Sequence, residues 1–198
     1  MGTGLLGYYN LLDWFCSLSK DEQEKLRKYS QMGLWTGKDN QGEDELTKAN
    51  INFTSRSKDG WLSDMGLNAT HSKDFIFAEK LLVKAIEVGT PDSVDRHFIY
   101  INLIKLFNNR RYLNEDKCIY YCLEDINWME EHAELAKKSL NFEAIDLVSF
   151  PSIVDIYFEQ GCFDKAREIC ERAIKIGYWK EYFEDKIKAC AGARADAG

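Results

Sequence analysis

The chain has 198 residues, of which 45% are hydrophobic, 13% aromatic and 30% charged. This is the make-up of an ordinary globular protein, one domain or two small ones, and it excludes wholesale disorder. With 26 basic against 33 acidic residues the formal charge is −7, which repels a phosphate backbone, so nucleic acid is not an expected partner.

The sequence holds no apolar run of the length that crosses a bilayer. Residues 1–10 lack the basic and apolar regions of an export signal, and Leu6 stands where myristoylation needs Ser or Thr. The expectation is a soluble cytoplasmic protein without membrane attachment. Cys16, Cys118, Cys122, Cys162, Cys170 and Cys190 then read as reduced thiols, most of them at apolar helical positions.

Helical patterns dominate in chain order. Leu12, Phe15 and Leu18 share one face, and Ser19-Lys20-Asp21-Glu22 has the form of a capping box, which predicts a helix from about 20 to 32 stopped at Gly33. Residues 1–34 are therefore expected to form an N-terminal helical cap or small module. Residues 35–58 are polar and rich in Gly, Asn, Ser and Thr, and read as a linker. From 59 to 190 the text becomes regular. Trp61, Leu62, Met65 and Ala69 stripe one helix, and Phe75, Ala78, Leu82, Ala85 and Ile86 a second that closes at Gly89. Thr90-Pro91 can open the next, whose Val94, Phe98, Ile101, Leu103, Ile104, Leu106 and Phe107 make it apolar almost all round, so it should lie between neighbours. Ile119, Cys122, Ile126 and Met129 stripe another. Pro151 opens a helix with Ile153, Val154, Ile156 and Tyr157, and Gly161 breaks it. Phe163, Ala166, Ile169, Cys170, Ala173 and Ile174 mark the following helix, which Gly177 stops, and Trp179, Tyr182, Phe183, Ile187 and Cys190 mark the last. Residues 191–198 form a featureless tail expected to fray.

These helices repeat. Phe150, Ile153, Tyr157, Gly161, Ala166, Cys170 and Ala173 fall at the signature spacing of the tetratricopeptide repeat, which segment 150–174 resembles; Val154 replaces the signature Gly and Tyr178 the terminal Pro. A second copy lies over 59–91, with Leu62, Met65, Gly66, Phe75, Ala78, Leu82 and Ala85 on the template and Lys73 in place of the turn glycine. A looser copy covers about 96–126 through Leu103, Leu106, Tyr112, Cys118 and Cys122, with about two extra turn residues and an open register. The resemblance implies an all-α, tetratricopeptide-like right-handed α-solenoid of antiparallel helix pairs with capping helices. Without the resemblance, the same stripes describe a non-repetitive helical bundle.

No catalytic or metal motif survives inspection. Residues 2–7 match G-x-G-x-x-G but have no strand before them. Cys118 and Cys122 share a helix face, yet no further Cys or His pair completes a metal site, and an exposed acidic face accounts for Glu130, Glu131, His132 and Glu134. His71 and His97 could each act as a base beside Asp74 or Asp95, without further support. The expectation is a protein without enzymatic activity, cofactor or metal.

The resemblance implies a concave wall built from the first helix of each pair, and that wall takes a peptide or protein segment. Its positions here are Ser63, Leu67, Thr70 and His71, then Tyr100, Ile104, Phe107 and Asn108, then Asp155, Phe158 and Glu159. Pro151 and Asp155 do not fit the clamp such arrays use for a C-terminal carboxylate. The carboxylates at one end suit a basic or amphipathic helical ligand instead. The reading is a scaffold or adaptor that binds a protein or peptide segment, with a peptide-sensing regulator, or a metal-binding or enzymatic helical protein, as alternatives. The oligomeric state is left open.

Overall fold

The computed structural model describes residues 3–31, 45–140 and 147–196. Eleven helices and no strand occur among the described residues, and none of these helices is long and apolar enough to cross a membrane. The chain divides into two compact units, Met1–Thr90 and Pro91–Gly198.

In the first unit, α1 (Gly4–Tyr8), α2 (Leu12–Ser17) and α3 (Lys20–Ser30) precede the longer pair α4 (Lys58–His71) and α5 (Phe75–Val88). The capping box forms as its sequence predicts. Glu22 N–H donates to Ser19 Oγ at 3.2 Å and Ser19 N–H to Glu22 Oε2 at 2.9 Å, which satisfies two amides that helix geometry leaves orphaned. α3 ends at Ser30, and Gly33 lies outside the described residues. The N-terminal glycines have a structural use: Gly4 has φ 62°, its N–H donates to Ala49 O at 2.9 Å, and a Cβ there would collide with the backbone of Leu46 and Thr47. Leu5 and Leu6 donate likewise to Glu45 O and Leu46 O, so the described end of the polar stretch folds as a turn against α1. Between α4 and α5, a Cβ on Gly66 would stand 2.6 Å from Leu82 Cγ, so glycine is what lets these two helices approach so closely.

In the second unit, α6 (Val94–Phe107), α7 (Glu115–Glu131), α8 (Ala133–Ser139), α9 (Ser149–Glu159), α10 (Phe163–Ile176) and α11 (Lys180–Asp196) follow in order. α7 packs against both α6 and α9, α9 against α10, α10 against α11, and α8 lies on α6 and α7. Gln160 Nε2 donates to Glu115 Oε2 at 3.0 Å, placing the end of α9 beside the start of α7, so the two run antiparallel. Pro91 stands ahead of α6 rather than within it. Helix begins behind Ser93, and the Pro91 carbonyl instead accepts the Trp128 Nε1–H at 2.9 Å.

From the end of the first helix to the end of the second, the pairs α4/α5 and α9/α10 coincide at a constant offset of 88 residues, although α4 has 14 residues and α9 only 11. His71 and Glu159 end the first helices, Phe75 and Phe163 begin the second, and Val88 and Ile176 end them. Their turns share one hydrogen-bond pattern. Lys73 N–H donates to Thr70 O and Asp74 N–H to Ala69 O, both at 2.9 Å; Gly161 N–H donates to Phe158 O at 3.0 Å and Cys162 N–H to Tyr157 O at 2.8 Å. Lys73 and Gly161 both take the left-handed conformation, with φ 63° and 69°. Ala78 and Ala85 match Ala166 and Ala173, and all four are wholly buried where the second helix meets the first. The α6/α7 pair differs: its turn, residues 108–114, has seven residues where the other two have three, more than the sequence suggested.

The C-terminal end is closed by aromatics. Tyr178 is fully buried, accepts the Leu147 N–H at its hydroxyl at 3.0 Å, and packs with Phe150 and Phe183. α11 turns Phe183 and Cys190 inward and leaves Glu181, Glu184, Asp185 and Lys188 exposed.

Candidate partner-binding faces and a sealed histidine–aspartate pair

The residues expected to line a groove fall on three helices with different exposure. On α4, Ser63 is buried, Leu67 and Thr70 are half-buried and His71 is exposed. Thr70 Oγ1 donates to Gly66 O at 2.9 Å, so that hydroxyl is turned back onto its own helix. On α9, Asp155 and Glu159 are exposed and Phe158 is half-buried. At the same offset as the helix ends, Leu67 matches Asp155, Thr70 matches Phe158 and His71 matches Glu159. These two sets therefore occupy equivalent places on equivalent helices.

The α6 set does not behave like the other two. Ile104 and Phe107 have no exposed surface and Tyr100 retains only 8%, while Asn108 is exposed at the helix C-cap. Nine of the fourteen residues of α6 are buried. Phe107 stacks on Tyr121 at 5.8 Å and on Tyr112 at 6.1 Å, and so belongs to the α6–α7 core. The Tyr100 hydroxyl is shifted above the usual phenol range, first by burial, with Arg96 opposing the shift. Ile104 and Phe107 are thus core side chains, and the apolar groups that a partner could reach are Leu67 and Phe158.

On α9 the carboxylates differ. Asp155 accepts from Lys186 Nζ at 2.8 Å, a contact that raises the Lys186 ammonium pKa, so Asp155 is already shared with α11. Glu159 is exposed at the helix end beside Phe158, whose ring meets Phe163 edge-on at 5.1 Å. Of the two α9 carboxylates, Asp155 is thus engaged by the fold, while Glu159 is exposed.

A second cluster lies inside the α6–α7 pair. His97 Nδ1 and Asp125 Oδ1 are 2.7 Å apart, and neither side chain has any exposed surface. Trp128 stacks on His97 at 5.8 Å on one side and on His132 at 5.1 Å on the other. His132 Nε2 is 3.4 Å from Asp92 Oδ1. His97 Nε2 and Asp125 Oδ2 have no hydrogen-bond partner among the described residues. A carboxylate that orients an imidazole through Nδ1 is the arrangement that activates Nε2 as a base. Here the sealed environment keeps a reacting group away from that nitrogen, so the pair is a buried polar link between helices. The sequence placed His97 beside Asp95; the actual partner is 28 positions away. One signal could have revealed it: Asp125 sits on the buried stripe of Cys118, Cys122, Ile126 and Met129, where a carboxylate needs a partner.

His71 is exposed at the end of α4. Cys118 and Cys122 are fully buried; their mutual hydrogen bond lowers the Cys118 thiol pKa and raises that of Cys122, and burial adds to the rise at Cys122. Glu130 and Arg172 form a two-pronged pair at 2.9 and 2.8 Å that ties α7 to α10 and holds the Glu130 carboxyl below its ordinary range. No protein-family model, curated protein or solved structure matches this chain.

Proposed function

We propose that this chain is a tetratricopeptide-type array of helix pairs that binds a protein or peptide segment and has no catalytic role. One observation carries the reading: from the end of the first helix to the end of the second, two helix pairs keep one constant offset, down to a left-handed residue in the same turn position. A third pair, α6/α7, stands between them in the chain. Repeated helix pairs leave equivalent side chains on equivalent faces, and that favours recognition of an extended or helical segment over chemistry at a single point. The burial of the His97–Asp125 pair supports a non-enzymatic role.

The segment favoured is basic or amphipathic and helical. On α9 it would meet Phe158 as an apolar anchor and Glu159 as a charge determinant. The test is selection from a random-peptide display library on the purified full chain, followed by titrations of the selected peptide. A basic or amphipathic peptide should emerge and should lose about tenfold in affinity, or about 1.4 kcal/mol, on Phe158→Ala. Peptides that bind Phe158→Ala and Glu159→Lys as tightly as the parent protein would refute the assignment.

A further inference from the structure

Among the described residues, the acidic chain has a corner where cations outnumber the exposed carboxylates Glu115 and Asp116 that follow it at the start of α7. At the α6–α7 turn, Arg110 and Arg111 are adjacent and exposed, with exposed Lys105 and Lys117 on the flanking helices. The other guanidinium groups among the described side chains are held. Arg56 pairs with Asp64, Arg167 with Glu171 and Arg172 with Glu130, while Arg27 lies over the Phe15 ring and Arg96 is buried. Neither Arg110 nor Arg111 has an ion-pair partner among the described residues. Two neighbouring guanidinium forks with no internal carboxylate are the part of the surface best able to grip an external one.

The corner also carries apolar surface on a firm base. Leu113 is 56% exposed and Tyr120 55%. Beneath them, Tyr112 stacks on Phe107, Tyr121 stacks on the same ring, and Tyr120 meets Tyr121 edge-on at 4.9 Å. Lys117 Nζ lies 5.1 Å from the Phe107 ring. The turn backbone is pinned: Arg111 N–H donates to Asn109 Oδ1 at 3.0 Å, Tyr112 N–H to Asn109 O at 2.8 Å and Asn114 N–H to Phe107 O at 3.0 Å. Asn114 Oδ1 in turn caps α7 by accepting the Lys117 N–H at 3.0 Å. A turn four residues longer than its counterparts thus presents two cations and Leu113 from a fixed backbone, with Tyr120 of α7 following it, which lowers the ordering entropy of a docking event.

We propose that this corner docks a short acidic peptide segment bearing an apolar side chain, with carboxylates on Arg110 and Arg111 and the apolar group against Leu113 and Tyr120. Short acidic protein is favoured over an extended polyanion because the chain as a whole is at −7 and repels a long phosphate backbone or an anionic bilayer beyond the corner. The site is built from α6, α7 and their turn rather than from α9, whose end lies beside the start of α7, and the two sets of residues select opposite charges.

Fluorescence anisotropy on the full chain tests it, with a labelled peptide of Glu and Asp interspersed with Leu. Three controls accompany it: the Gln/Asn analogue of that peptide, a single-stranded DNA of equal charge, and phosphatidylserine vesicles. The acidic peptide should bind, weaken with salt, and outcompete all three. Arg110→Gln/Arg111→Gln should weaken it about tenfold, as the loss of two exposed charge pairs implies, and Leu113→Ser about threefold. Phe158→Ala should leave it unchanged, which separates this site from the α9 face. Circular dichroism confirms that each variant is folded, and the positions changed at the corner are exposed. Equal binding by the double Arg variant or by the amide analogue would overturn the proposal. So would tighter binding of DNA or vesicles, or no peptide binding up to about millimolar concentration.

Discussion

Removing one partner of the buried His97–Asp125 pair should destabilise the second unit far more than removing both. His97→Leu leaves the Asp125 carboxylate in a site with no exposed surface, without the 2.7 Å bond that satisfied Oδ1 and with Oδ2 already unpartnered among the described residues. Breaking a buried pair of ionisable groups from one side costs about 3–5 kcal/mol where a carboxylate is left uncompensated, a large part of the roughly 5–15 kcal/mol that stabilises a typical domain. Asp125→Leu leaves the His97 ring without its Nδ1 partner and with Nε2 already unpartnered among the described residues, a smaller penalty of about 1–3 kcal/mol. In the double His97→Leu/Asp125→Leu variant no polar atom of the pair remains, and the expected loss falls to about 1–2 kcal/mol, mainly from the lost stack on Trp128. Urea unfolding followed by circular dichroism measures all three, and amide exchange in α6 and α7 locates the effect. The reasoning fails if His97→Leu alone loses less than about 1 kcal/mol, or if the double variant loses the sum of the two single ones.

Three other outcomes follow from particular contacts. Gly161→Ala meets no atom within 4 Å, so its effect is conformational: about 1–2 kcal/mol for a left-handed L-residue, partly offset in the unfolded chain, for a net loss near 1 kcal/mol. Lys73→Gly at the equivalent turn should gain about as much, and denaturation midpoints that move in the same direction for both would contradict the equivalence. Because Arg172 depresses the Glu130 pKa, the pair contributes stability above the unfolded carboxyl range and loses it as pH falls through the folded value. Glu130→Gln should therefore lower stability at neutral pH and flatten its acid decline, whereas a parallel pH profile would remove the pair from that account. With a thiol reagent at mildly alkaline pH, exposed Cys16 should react first and half-buried Cys162 next, while Cys118, Cys122, Cys170 and Cys190 stay protected. Burial pushes the Cys170 thiol up to about 12, and its rapid labelling in the folded protein would be inconsistent with this packing.

Local chemistry made much of this fold readable. The Ser19 box fixed the start of α3, Gly66 marked a close helix crossing, and the aligned positions of Lys73 and Gly161 identified one turn written with two residues. What was hidden depends on long-range partners. The spacing of Ile104 and Phe107 fits a groove as well as a core, and only the long turn after α6 and the stacking of Tyr112 and Tyr121 make them core. The union of His97 with Asp125 joins two helices, and the contacts of Leu5 and Leu6 with the 45–49 turn join segments separated by polar sequence. Neither follows from periodicity, which reports the face of an element but not what it faces.

Amide hydrogen exchange of the full chain, with and without a display-selected peptide, tests the central claim most directly. If repeated helix pairs present a partner-binding face, the peptide should slow exchange at the open end of α9 and its turn, residues 155–161, and Phe158→Ala should abolish that protection. Protection confined to the outer face of α11, or unchanged by Phe158→Ala, would contradict the account.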